Sequence, residues 1–152
     1  MIKKIETINL KYNTKIAIVA SPYYRSVYDN LLKGTLAEFS LHNIKTEILN
    51  VEGALEIPTA INLVKRDFEG FIALGCIIRG ETNHYDIVAE NSAQALSKLG
   101  LDGICIGNGI LTVDNLEQAI ERSDPKLKNK GKDAAKALIS LLLIKQKYNN
   151  DR

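Results

Sequence analysis

The stretch Arg79-Gly80-Glu81-Thr82-Asn83-His84 holds the densest chemistry in the 152-residue chain. Gly80 frees the backbone, and a helix starting at His84 would aim its first N–H groups outward, a ready site for an anion such as phosphate. In that first turn the helix dipole opposes protonation of the imidazole, leaving a neutral His84 able to accept a proton at pH 7. A solitary histidine is more often structural or solvated, and only its place at a strand end beside an anion-ready turn brings catalysis into view. Pro22-Tyr23-Tyr24-Arg25 offers an aromatic that either stacks on a flat ring or covers a loop. In Gly53-Ala54-Leu55-Glu56-Ile57-Pro58 the two small residues allow close backbone approach, while Glu56 taken alone reads as a helix-start charge. Gly107-Asn108-Gly109-Ile110-Leu111-Thr112 looks like a dinucleotide fingerprint whose third glycine is Thr112. That fingerprint belongs on the first strand–helix turn, with an acidic residue ending the second strand. Here it follows the last strand, so the cofactor reading is rejected. Arg122 and Lys130 are cations at the end of a short helix and in a lysine-rich loop, where lysines are usually just solvated.

The elements that would position these groups follow from periodicity. Residues 5–10 alternate and suggest a short edge strand. Strands are expected at 15–20, 45–51, 71–78 and 103–107, where β-rich apolar runs read as strands covered on both faces. Helical spacing appears over 27–39, from about Pro58 to Arg66, and over 84–99 with Gly100 as its stop. Asp114-Asn115-Leu116-Glu117 fits a capping box with an aspartate cap, opening a short helix to Ser123. Asp124-Pro125 breaks it, Lys126–Lys132 reads as a loop, and 133–148 is the last helix before a frayed tail at 149–152.

Strand and helix alternate through the chain, with one extra helix at the end. This predicts an α/β protein: a three-layer α/β/α sandwich around a four-stranded parallel sheet, flavodoxin-like, spanning 1–152 as one domain behind an N-terminal edge segment at 1–13. Ligands in such sheets bind beyond the carboxyl ends of the strands. Residues 21–26, 53–58, 79–84 and 108–112 should therefore converge there.

Composition narrows the classes. Apolar residues make up 45% and charged residues 25%, as in a soluble globular chain, which disfavours disorder and fibres. Twenty basic residues against eighteen acidic ones leave a net charge of +2, too little field for a nucleic-acid binder driven by bulk charge. Cys76 and Cys105 lie in apolar runs and read as reduced core thiols, which suits a cytoplasmic location. Two histidines and two separated cysteines do not make the usual structural zinc pattern. The first apolar run, 16–20, is too short for a signal-peptide core, and no run approaches the roughly 18 residues of a membrane span.

Taken together, GALEIPTA at 53–60, ALGCIIRGETNHYDIV at 73–88, NGILTVDNLEQAIER at 108–122 and NKG at 129–131 resemble the 6,7-dimethyl-8-ribityllumazine synthase family. The resemblance spans about Lys15 to Leu142, and the pairing of RGETNHYD with GILTVDNLEQAIER is highly specific. It implies the condensation of 5-amino-6-ribitylaminouracil with 3,4-dihydroxy-2-butanone 4-phosphate, a step of riboflavin biosynthesis, without cofactor or metal. The ring-stacking aromatic would be Tyr23, and the ribityl-binding trio Ala54, Leu55 and Glu56. The pyrimidine would meet Cys76, Ile77 and Ile78, largely through backbone groups. Glu81 and Thr82 would form the phosphate turn, Arg122 would bind phosphate, Lys130 would lie near the same pocket, and His84 would be the general acid/base. The family's site lies between two subunits of a ring of five, so the resemblance implies that Asn108, Arg122 and Lys130 come from the neighbouring chain.

Two departures stand out. Many members carry Arg-Phe-Asn where this chain has Pro22-Tyr23-Tyr24, and many carry phenylalanine at Asn108, where an amide here meets the pyrimidine instead of a ring. Asparagine at that position occurs in a branch of the family. A non-catalytic flavin-binding protein or a shell-forming paralogue would share this fold, but neither needs the proton acceptor His84 or the phosphate clamp Arg122.

Overall fold

A computed structural model describes residues 9–11 and 13–148 of the chain. The described residues form β1 (Thr14–Ala20), α1 (Arg25–Phe39), β2 (Ile44–Asn50), α2 (Glu56–Leu63), β3 (Gly70–Ile78), α3 (His84–Leu101), β4 (Ile106–Val113), α4 (Leu116–Ser123) and α5 (Lys130–Tyr148). The strands make one four-stranded sheet in the order β2-β1-β3-β4, parallel throughout. The α/β architecture expected from the alternation is therefore the observed one.

Period-two alternation sends successive strand residues into two separate cores. Ile16, Ile18 and Ala20 of β1 and Ile72 and Leu74 of β3 pack with Val27 and Leu31 of α1, Ala119 of α4 and Ala134 and Leu138 of α5. Ala17 and Val19, with Phe71 and Ala73, face the opposite way and meet Ile57 and Ile61 of α2 and Leu96 of α3. Helices thus cover both faces, which is why the central strands read as continuous apolar runs. Each of the fully buried isoleucines and leucines contributes about 1.5–3 kcal/mol relative to an exposed position.

Several boundaries depart from expectation, the largest at β4. The strand covers Ile106–Val113 rather than 103–107, so Asn108–Thr112 is paired strand and not a loop beyond its end. The two glycines that suggested a turn mark a close approach instead. A Cβ on Gly107 would lie 2.2 Å from the carbonyl oxygen of Ala134, so α5 can rest on β4 only where the side chain is missing. Only three of the four expected segments consequently sit at the ligand-side end of the sheet.

The stop of α3 is Gly103, not Gly100. Gly103 has φ +93°, its N–H donates to Gly100 O at 3.0 Å, and Ile104 N–H donates to Leu99 O at 3.1 Å. This pair of bonds is a Schellman motif, for which the left-handed residue must follow the last turn. The cap of α4 is Asn115 rather than Asp114: Asn115 Oδ1 accepts from Gln118 N–H at 2.9 Å, and Gln118 Oε1 accepts from Asp114 N–H at 2.8 Å. Lys130 opens α5 instead of lying in a loop, α1 begins at Arg25, and α2 runs from Glu56 to Leu63 with Pro58 in its first turn. Of the suggested edge strand at 5–10, residues 5–8 lie outside the described residues, as does the tail at 149–152, while Asn9 and Leu10 are not in a strand. Segment 9–11 is pinned to α5 by Gln146, whose Nε2 donates to Asn9 O and whose Oε1 accepts from Lys11 N–H, both at 2.8 Å. Among the described residues no helix is long and apolar enough to cross a membrane.

Candidate active site

The chain leaves β1 toward β2 on one side and later returns to place β3 on the other, so the carboxyl ends of β1 and β3 flank a topological switch point. A hollow of about 330 Å³ lies there, lined by Ser21, Tyr23 and Tyr24 after β1, Glu52 to Ala54 after β2, Cys76 to Ile78 of β3, and His84, Tyr85 and Val88 of α3. Of the residues anticipated from sequence, it gathers Tyr23, Ala54, Cys76, Ile77, Ile78 and His84. Leu55, Glu56, Glu81 and Thr82 do not line it. Glu56 Oε2 accepts from the Gly53 N–H at 2.9 Å, the helix-start role that its position suggested.

Local structure explains how each wall is held. Ser21 N–H donates to Leu74 O at 3.0 Å and its hydroxyl to Glu52 O at 3.0 Å, which ties together the exits of β1, β2 and β3. Tyr23 is 78% exposed, and its ring rests edge-on against Tyr24, centroids 4.9 Å apart. It offers an open aromatic face over the hollow's mouth. Tyr24 is drawn inward, and burial raises its phenol pKa, with Cys76 and Tyr23 adding in the same direction. Burial likewise pushes the Cys76 thiol up to about 11, so it is neutral at physiological pH.

The turn 79–83 joins β3 to α3. Thr82 Oγ1 accepts from His84 N–H at 3.3 Å, and the His84 side chain stands exposed on the first turn. The carboxylate of Glu81 and the hydroxyl of Thr82 are exposed as well. The guanidinium nearest this turn, Arg79, is already engaged. Its Nε donates to Asp114 Oδ1 at 3.1 Å, its Nη1 is 3.6 Å from Asp86 Oδ1, and it lies over the Tyr85 ring at 4.3 Å.

Asn108, Arg122 and Lys130 gather elsewhere, on the outer edge of β4. They line a second hollow of about 420 Å³ with Gly109 to Thr112 and with Asp133, Ala134 and Ala137 of α5. This hollow shares no lining residue with the first. Arg122 Nη1 donates to Gln118 O at 3.3 Å, and its nearest carboxylate, Glu121, is 4.0 Å away and also engages Lys128. Lys130 is paired with Asp133 at 3.3 Å. The guanidinium is therefore the freer of the two cations for an incoming anion. Asn108 Oδ1 accepts from Ile110 N–H at 2.9 Å. A donor can be met only by the amide oxygen, so this bond fixes the amide's orientation and turns its NH₂ outward.

Sequence reasoning missed Tyr24, Tyr85 and Val88 as lining residues. Adjacency to Tyr23 and to His84 was the available signal for the two tyrosines, but not which ring would turn inward. A larger hollow, about 730 Å³, lies between the end of α3, the start of β4 and α5. Its walls are chiefly Leu96, Leu101, Ile104, Leu141 and Ile144, with only Lys145 and the Cys105 thiol to titrate. It lies at the amino end of β4, away from the carboxyl ends of the strands where ligands bind in such sheets. Among the described residues no three His, Cys, Asp or Glu side chains are grouped to hold a metal ion.

The described geometry can be compared with known proteins. Residues 13–146 match the family model for 6,7-dimethyl-8-ribityllumazine synthase. A protein of that name from Erythrobacter litoralis is 46% identical over 88% of this chain and 97% of its own length. One from Zymomonas mobilis is 46% identical over 89% of this chain and 99% of its own. Another, from Jannaschia sp., is 45% identical over 88% of this chain and 76% of its own. A family match over residues 13–146, together with identity at this level over most of the chain, means that the chain belongs to the 6,7-dimethyl-8-ribityllumazine synthase family.

Proposed function

We propose that this protein is a transferase that condenses 5-amino-6-(D-ribitylamino)uracil with 3,4-dihydroxy-2-butanone 4-phosphate to give 6,7-dimethyl-8-ribityllumazine, in riboflavin biosynthesis. The observation that carries this reading is the hollow at the switch point. It combines an open aromatic face, backbone-rich strand ends and a histidine beside an anion-ready turn, in a chain whose relatives bear the synthase name.

In this reading the pyrimidine stacks on Tyr23 and meets the ends of Cys76 to Ile78, while the ribityl chain runs along Ala54, Leu55 and Glu56. The 5-amino group attacks the ketone, and loss of water gives the imine. Loss of a C3 proton and of phosphate from C4 then leaves an enol that tautomerises to a new C3 carbonyl, and the ribityl-bearing nitrogen closes the ring on that carbonyl with loss of a second water. His84 moves protons in these steps, a contribution of about 10²–10⁴-fold. Holding two intrinsically reactive partners together supplies much of the rest.

The phosphate sits on the backbone N–H groups at Glu81 and Thr82, with the Glu81 carboxylate turned to solvent and the positive charge supplied by Arg122. Arg122, Lys130 and Asn108 line a hollow of their own on the β4 edge. The reading therefore has them complete the site of the next protomer in a pentameric, cytoplasmic homo-oligomer, with Lys130 near the phosphate and the Asn108 amide against the pyrimidine. The test is incubation of the purified protein with both substrates, followed by the absorbance of the lumazine. Appearance of the chromophore supports the reading. Its absence leaves a non-catalytic binder or shell protein on the same fold.

A further inference from the structure

Arg79 is absent from both hollows, yet it is among the most engaged side chains of the loops. Its backbone N–H donates to Val113 O at 2.9 Å, the last rung between β3 and β4. Its guanidinium reaches Asp114, the residue after β4, and Asp86, in the first turn of α3. It also covers the Tyr85 ring, which is packed with Ala54, Ile77 and Val88 beneath the hollow. The hydrogen bond to Asp114 and the charges of Asp86 and Asp114 hold the guanidinium firmly protonated.

We infer that Arg79 is the positioning residue of this site: its guanidinium, clasped by Asp114, Asp86 and Tyr85, fastens the 80–83 turn and the start of α3 to the end of β4 and so sets where His84 stands. The turn leaves β3 at Arg79 and enters α3 at His84, so contacts from Arg79 to Asp86 and Tyr85 close it into a short loop with both ends fixed. Such a loop keeps the N–H groups at Glu81 and Thr82 and the imidazole of His84 in one fixed relation, which proximity catalysis requires to within fractions of an ångström. With two carboxylates on it, this guanidinium is not a free phosphate ligand. Only a planar fork that also stacks can serve Asp114, Asp86 and the Tyr85 face together, so lysine cannot replace it. The inference rests on the proposed role of His84, but its structural half stands apart from the reaction.

The test compares wild type with Arg79→Gln, Arg79→Lys, Asp86→Asn and Asp114→Asn, reading both kinetics and amide hydrogen exchange by mass spectrometry. In Arg79→Gln, exchange over residues 80–87 should quicken by about tenfold or more, while α5 peptides stay unchanged. Turnover should fall by roughly 10–100-fold with the KM for ribitylaminouracil held, because a misplaced His84 costs rate rather than pyrimidine binding. Asp114→Asn should reproduce part of both effects, and Arg79→Lys should recover little. If Arg79→Gln raises only the KM for the phosphate substrate, and the aspartate variants lower it by freeing the guanidinium, Arg79 is a phosphate ligand and the inference fails. Unchanged exchange over 80–87 overturns it as well. A wild type that makes no lumazine would sink the proposed function instead, leaving the exchange result to judge the clasp.

Discussion

His84 and Arg122 line separate hollows of one chain, and that separation makes a quantitative expectation possible. Suppose every site takes His84 from one protomer and Arg122 from the next around a closed ring. His84→Ala and Arg122→Ala chains are each defective alone, the first by about 10²–10⁴-fold through lost proton transfer. The second loses a charged contact worth about 2–5 kcal/mol. In a reassembled equimolar mixture, a site is whole when its His84 side belongs to an Arg122→Ala chain and its Arg122 side to a His84→Ala chain. Random assembly makes about a quarter of the sites whole, whatever the number of protomers in the ring. The rate should therefore rise from a parental mean of about 5% of wild type or less to about 25%, and trace a parabola in the mixing fraction with its maximum at equal amounts. The chains would be co-refolded with two different tags, mixed rings captured through both, and initial lumazine formation followed at limiting butanone phosphate. Doubly captured rings that stay at the mean of their parents would refute the shared site and require both residues to act within one chain.

Three further outcomes are expected. Arg122→Ala should raise the KM for the phosphate substrate by roughly one to three decades and relieve inhibition by inorganic phosphate, whereas Glu81→Gln should change that KM little; steady-state kinetics with phosphate as competitor checks both. Gly107→Ala drives a methyl against the Ala134 carbonyl and should cost about 1–3 kcal/mol or more in urea unfolding, while Gly100→Ala, which meets nothing within 4 Å, should be neutral or stabilising by up to about 1 kcal/mol. The Cys76 thiol, raised by burial from 9.0 to about 11, should alkylate with iodoacetamide about a hundredfold more slowly at pH 7 than an unperturbed thiol, and its rate should climb until the pH passes about 11.

What the sequence revealed was governed by how local the determining physics is. Apolar runs such as 71–78 and helical spacing over 84–99 report burial directly, so the sheet, its helices and the residues at the ends of β1 and β3 were readable. The errors fell where a distant element decides. Gly107 and Gly109 look like turn residues until α5 is seen lying on them, and no periodicity announces that. Gly103, not Gly100, ends α3 because a Schellman stop depends on which residue turns left-handed, a difference of three positions that both glycines could satisfy on paper. Within the site, the place of His84 followed from its strand-end position, but the inward turn of Tyr24 and the packing of Tyr85 depend on neighbours from β3 and from the loop after β2. The engagement of Arg79 with Asp114 spans 35 residues and had no local signature.

The bond from Ile110 N–H to the Asn108 amide has a consequence for the open edge of the sheet. Among the described residues β4 is an outermost strand, and such strands offer a ladder of unsatisfied donors and acceptors on which foreign strands can grow. By taking Ile110's donor for its own side chain, Asn108 removes a rung from the middle of that ladder. An intruding strand would find its register broken there, one donor short at the position where a continuous ladder would need it.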